Sequence, residues 1–165
     1  LYAGIMIDTN NFLTKTGVRT FEAAAFLRRC GADVTRVRKM FREHVEDYRA
    51  KGEAIRNAEL FREHFAISVC PSEGLDSPTV VGAQAANELL NIIGVKASFV
   101  LTDYRNTIYI SARSIDEINV QIVMERLGGG GHLNIAGAQL EHYSITEAKD
   151  VLKQTLQKML DEGDI

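Results

Sequence analysis

Cysteine is scarce in this sequence: there are two, Cys30 and Cys70, 40 residues apart. They form no CxxC, and no histidine stands at metal-ligand spacing from either. A disulfide framework and a zinc knuckle are therefore excluded, and the thiols read as reduced and mostly buried in a cytosolic protein. Long apolar runs are absent too. Those present, such as IYI and VVGA, fall far short of the ~20 residues that a membrane-spanning helix needs. The opening LYAGIMIDTN has neither a basic stretch nor a small-residue cleavage site, so no secretory signal is expected. No internal repeat is visible. Histidine occurs four times, never as HH, HxxH or HxD, so no complete metal site of familiar spacing is present. The aromatic residues are not clustered, which disfavours a module that holds single strands by stacking.

What is present suits a folded domain. The 165 residues, 45% hydrophobic and 25% charged, suffice for one domain or for a domain and a piece of another. The net charge of −3 conceals an asymmetry. Residues 1–62 carry 12 Lys/Arg against 8 Asp/Glu, and residues 63–165 carry 7 against 14. The basic stretch RRCGADVTRVRKMFR has its charges spaced like a solvated helix face; contact with nucleic acid is the other reading. The acidic second part argues against tight, sequence-independent binding of long nucleic acids. LYAGIMID reads as the middle of a buried strand, so the chain is expected to be a piece of something longer. Left unpaired, that strand would favour self-association, for instance as a homodimer.

The pattern along the chain predicts an α/β protein. A strand in YAGIMI ends at Asp8, a polar loop follows, and a helix begins with Thr20 as its cap and stops at Gly31. A second helix starts at Asp33. Residues 43–63 look like a connecting helix between residues 1–42 and a second domain, 64–165. In that domain HFAISVC is a strand. Pro78 opens a helix with Asp76 or Ser77 as cap, and Gly94 closes it. VKASFVLTDY and NTIYISARS pair across a turn at Arg105-Asn106. DEINVQIVMERLG is a helix, AQLEHYSI a strand, and a last helix is capped by Thr146 with Lys149 and Lys153 on its outer face.

Four features could carry chemistry. Gly128, Gly129, Gly130 and Gly131 exceed the single glycine a helix cap requires. Their N–H groups could converge on an anion, with a helix starting near His132 adding its dipole, or they could form a flexible connector. His132 could donate to a phosphate oxygen, or simply pack. In ISARS, strand alternation places Ser111, Arg113 and Ile115 on one side and Ala112 and Ser114 on the other. Arg113 at the strand end suits bidentate phosphate binding, and equally a surface ion pair. Asn119, one turn into the next helix, could add a polar contact. Asp8, at the end of its strand, could ligate a metal or form a turn.

GIMIDTNNFLTKTGVRTFEAAAFLRRCGAD, then ISARS followed by Asn119-Val120, then LGGGGHLNIAGA resemble, in this order, the DHH phosphoesterase superfamily with its C-terminal DHH-associated domain. The TGVRTF run is similar to the membrane-anchored cyclic-di-AMP phosphodiesterases of the GdpP type; the oligoribonuclease-type members usually lack it. The resemblance implies a mixed-sheet associated domain after a truncated piece of an α/β DHH domain. It implies a hydrolase with two manganese ions that opens cyclic-di-AMP to pApA in a cleft between the domains. It would make Asp8 a metal ligand. It would make Ser111, Arg113, Ser114, Asn119, Gly128, Gly129, Gly130, Gly131 and His132 substrate-binding, the Gly-His motif being followed by a small-residue helix. The family's other metal ligands lie upstream of that aspartate, so the polypeptide alone is expected to bind no manganese and to be inactive. Its expected partners are a cyclic dinucleotide or short oligoribonucleotide and the upstream DHH domain of the same chain. The segment itself is expected to be cytoplasmic, without membrane contact, on a parent anchored in the bacterial membrane.

Overall fold

In the computed structural model, which describes residues 1–165, the first apolar run is a helix. Tyr2–Asp8 forms α1, with no residue buried, where a strand was expected. A strand must bond sideways to another strand, and residues Leu1–Glu43, which form a unit of their own, contain none. The backbone closes local bonds instead, such as Ile5 N–H to Leu1 O and Thr9 N–H to Ile5 O, both 3.0 Å. α2 (Val18–Arg29) starts two residues before Thr20. Its N-cap is Gly17, whose N–H donates to the Thr20 hydroxyl at 3.3 Å. Gly31, at φ +95°, ends it as expected. The N–H groups of Gly31 and Ala32 return to Arg28 O and Leu27 O, a Schellman closure. Asp33 caps α3 (Val34–Met40) by accepting from Arg36 N–H at 3.1 Å.

The second unit, His44–Ile165, is built on one six-stranded mixed sheet in the order β1-β2-β3-β4-β6-β5. Its strands are β1 (Glu59–Phe61), β2 (Phe65–Val69), β3 (Ala97–Tyr104), β4 (Thr107–Ser114), β5 (Gly130–His132) and β6 (Ile135–Glu141). β2 and β3 are parallel; every other neighbouring pair is antiparallel. Its helices are α4 (Val45–Arg56), α5 (Pro78–Leu89), α6 (Val120–Arg126) and α7 (Ile145–Glu162). The expected connecting helix therefore stops at Arg56, and part of its span is the edge strand β1. Ala50 and Ala54 of α4 are buried together with α5.

Each face of the sheet has its own core. On one, Phe65, Ile67, Phe99, Leu101, Ile108 and Ile110 meet the apolar stripes of α6 and α7. On the other, Ala66 and Val100 meet α4 and α5. The second face is lined with small residues, so helices approach it closely. The hydroxyls of Ser68 and Ser98 donate to Ala54 O and Ala86 O at 2.5 and 2.6 Å. A Cβ on Gly82 would lie 2.4 Å from Thr102 Oγ1.

The β3–β4 turn falls at Arg105-Asn106, as expected, with φ of 54° and 61°, values that match a type I′ hairpin turn. Two caps differ from expectation. Asn119 precedes α6 and caps it, accepting from Gln121 N–H at 3.1 Å. Ser144, not Thr146, caps α7, in a reciprocal box with Glu147. Lys149 and Lys153 of α7 are not fully outward: both reach Glu59 on β1, at 3.0 and 2.9 Å. Of the two thiols, Cys70 is buried and Cys30 is exposed.

Candidate functional site

The glycine run is neither a slack connector nor the start of a helix. Gly128 lies at φ +77° just beyond α6. The N–H groups of Gly128 and Gly129 return to Glu125 O at 3.0 Å and Met124 O at 2.8 Å. Two of the four expected anion donors are thus engaged in a Schellman cap. Gly130, Gly131 and His132 form β5, paired with β6 in the register Gly130↔Gly137, Gly131↔Ala136, His132↔Ile135. The small residues after the histidine are a strand, not a helix. Two glycines are demanded by close approach: a Cβ on Gly129 would lie 2.1 Å from Gly137 O, and one on Gly131 2.5 Å from the Ala136 Cα. Gly130 differs, for a Cβ there would meet nothing within 4 Å.

The β5–β6 hairpin is fastened to its surroundings. Val120 N–H donates to Leu133 O at 2.9 Å, and Ser114 N–H to Asn134 O at 3.1 Å. The Ser114 hydroxyl donates to Ile118 O at 2.6 Å, and the Asn134 amide donates to Asp116 at 2.5 Å. Asn119 and Ser114 are thereby committed to local structure. Ser114 also lies on the buried face of β4, opposite to Ser111.

On the α5 side of the sheet an open hollow of about 470 Å³ lies over β4 and β6. α4 and α5 cover β2, β3 and part of β4, and the hollow opens beside Thr79 at the start of α5. Its floor is set by strand register: Tyr109 is opposite Gln139, and Ser111 is opposite Gly137, which itself pairs with Gly130. Thr79 at the start of α5 and Gly128–Gly130 complete the lining. Of the expected residues, Ser111, Gly128, Gly129 and Gly130 are brought together here. Thr79, Tyr109, Gly137 and Gln139 were missed. The alternation that placed Ser111 and Arg113 on one face already implied Tyr109. Gln139 and Gly137 depend on the β4–β6 register, and Thr79 on helix packing, neither of which a local pattern encodes.

Arg113 and His132 occupy the next row, since both are in register with Ile135. Arg113 is half-buried, donating through Nε to Asn87 Oδ1 at 3.0 Å and through Nη1 to Ala112 O at 2.9 Å. Burial pushes its guanidinium below the usual range, but an arginine stays charged. His132 is exposed, its Nδ1 2.9 Å from Gly131 O. Asp8 is exposed at the end of α1. No group of three or more His, Cys, Asp or Glu side chains is arranged to hold a metal ion. One exposed carboxylate does not constitute a manganese site. No helix is long and apolar enough to cross a membrane.

Residues 64–159 match the DHHA1 domain family. The chain is 41% identical over 164 residues to the cyclic-di-AMP phosphodiesterase GdpP of Geobacillus thermodenitrificans, covering 99% of this chain and 25% of that protein. It is 42% identical over 153 residues to the cyclic-di-AMP phosphodiesterase PdeA of Listeria monocytogenes, covering 92% and 23%. It therefore spans about a quarter of the length of these curated relatives. An exopolyphosphatase-related protein from Bacteroides fragilis superposes with a TM-score of 0.83 over 94% of this chain and 48% of that one; at 23% identity the likeness is one of fold. The family match takes in every strand that forms the floor of the hollow, and the fold agrees with it: this chain belongs to the DHHA1 domain family of the DHH superfamily.

Proposed function

We propose that the chain is part of a manganese-dependent phosphodiesterase that opens cyclic-di-AMP to pApA, and that its second unit is the part that holds the nucleotide. The relatives named for that activity support the reading. The observation that carries it is the hollow itself. Glycine backbone and the Ser111 hydroxyl line one end. At Gly130 the missing side chain leaves open space rather than relieving a clash, so the absence of a Cβ there makes room for something from outside. A phosphoryl group fits this chemistry: it accepts hydrogen bonds from hydroxyls and N–H groups and needs close backbone approach. One row along, Arg113 would supply positive charge and His132 a further donor to the same group.

The role of this segment is binding and orientation. The Ser111 hydroxyl and the β5 backbone would fix the phosphate, and Arg113, already braced by Asn87, would approach it with little loss of side-chain freedom. The upstream DHH domain would supply the manganese ions and the activated water. The 165-residue polypeptide on its own should not turn over cyclic-di-AMP with manganese; turnover near the rate of the complete catalytic region would overturn that. The reading as a binder is tested by calorimetry with cyclic-di-AMP and pApA. Gly130→Leu should abolish binding while far-UV circular dichroism and Tm stay unchanged. Binding that survived this substitution would return the glycine run to a purely structural role.

A further inference from the structure

The hollow has two chemically distinct ends, and only one is explained by a phosphate. One row of its floor is Ser111, Gly137 and Gly130; the other is Tyr109 and Gln139. The rows are two residues apart along β4, about 7 Å, the scale of a ribose between a phosphate and its base. Tyr109 is half-buried and braced: its ring centroid lies 6.5 Å from that of Tyr104 at 50°. Tyr104 is in turn covered by the Arg105 guanidinium at 4.9 Å. Gln139 is exposed on the sheet face, and its amide forms no hydrogen bond within the protein, nor do the side chains of Thr79, Ser111 and Tyr109. Elsewhere in this unit the serines facing packed surfaces are all satisfied, as Ser68, Ser98 and Ser114 show. Four polar side chains that converge on one hollow without partners are an unfilled set of donors and acceptors.

We infer that Tyr109 and Gln139 form a nucleobase subsite that selects adenine over guanine. This rests on the reading of the hollow as a phosphate-binding site and extends it. The Tyr109 ring offers a stacking surface that any base can use. The Gln139 amide offers one donor and one acceptor side by side, which matches the adenine edge with its N6 amine and N7 acceptor. Guanine presents two acceptors, O6 and N7, on the same edge, so it would leave the amide oxygen facing an acceptor. Tyr109 and Gln139 are directly opposite across β4 and β6, so a base stacked on one can present its edge to the other.

The test is a set of affinities measured on the 165-residue chain with pApA, pGpG and ribose 5-phosphate. The variants are Gln139→Leu and Tyr109→Leu, each with its Tm recorded. Wild-type protein should prefer pApA. Gln139→Leu should weaken pApA about tenfold and bring pApA and pGpG close together. Tyr109→Leu should weaken both dinucleotides by a similar factor. Ribose 5-phosphate, which has no base, should bind all three proteins alike. If both variants keep the wild-type pApA-to-pGpG ratio and affinity while Gly130→Leu still abolishes binding, the base subsite is wrong and the phosphate reading stands. If none of the three ligands binds the wild-type chain, both readings fail together.

Discussion

Residues Leu1–Glu43 and His44–Ile165 answer the same local signals with very different amounts of burial. In the first unit only Thr9 and Ala24 are buried, while Ile7, Leu13, Phe21, Phe26 and Met40 are each more than half exposed. In the second, a sheet separates two apolar cores, and Phe65, Phe99, Leu101, Leu152 and Leu156 are almost wholly withdrawn from water. Both units contain well-capped helices. Caps such as Asp33 and Ser144 decide where a helix starts, at about 1 kcal/mol each. Burial decides whether the helix stays, because most helical stability in proteins comes from tertiary packing.

The largest effect should come from hollowing the second unit. Phe99→Ala removes a fully buried ring and should cost about 3–5 kcal/mol in denaturant unfolding followed by circular dichroism. A loss below 1 kcal/mol would deny the second unit its packed core. Next is the alkaline limb. Burial, with a smaller contribution from Glu53, pushes the Cys70 thiol up to about 11. The folded pKa is the raised one, so this contribution is intact below the unfolded value near 9 and disappears as pH climbs from 9 to 11. At two pKa units it amounts to no more than about 2–3 kcal/mol. Wild type should therefore lose more stability than Cys70→Ala over that interval; equal slopes would contradict the assignment. Cys30, being exposed, should react with a thiol reagent in the native protein while Cys70 waits for unfolding.

Two smaller contrasts sharpen the picture. Gly131→Ala places a Cβ against the β6 backbone at φ +150° and should cost about 1–3 kcal/mol. Gly130→Ala, with free space, should change Tm little; equal losses would mean the β5–β6 register is wrong. Phe26→Ala, in the first unit, should shift stability by no more than about 0.5 kcal/mol, since the ring is 58% exposed.

Much of this architecture was legible in the sequence wherever the signal was local. Asp33, Pro78 and the Arg105-Asn106 turn act through their own backbone neighbours, and each stands where its pattern placed it. Ser144 with Glu147 three residues on was an equally local capping signal, overlooked in favour of Thr146. What escaped was non-local. The run YAGIMI has strand composition but no strand to pair with in its unit, so hydrogen bonding within the chain makes it a helix. Glycine disfavours strands, and only the approach of Gly129 and Gly131 to β6 reveals why GGH is one. The candidate site divides in the same way. Parity along β4 yields Ser111 and Arg113, whereas Gln139 becomes visible only through cross-strand register.

The central claim is that the bare sheet face beside Gly130 receives a nucleotide phosphate. The most direct measurement is calorimetric titration of pApA into the wild-type chain and into Gly130→Leu, with Tm recorded for both. The account predicts saturable binding by the wild type, none by the variant, and matching thermal transitions. Equal affinities for the two folded proteins would contradict it.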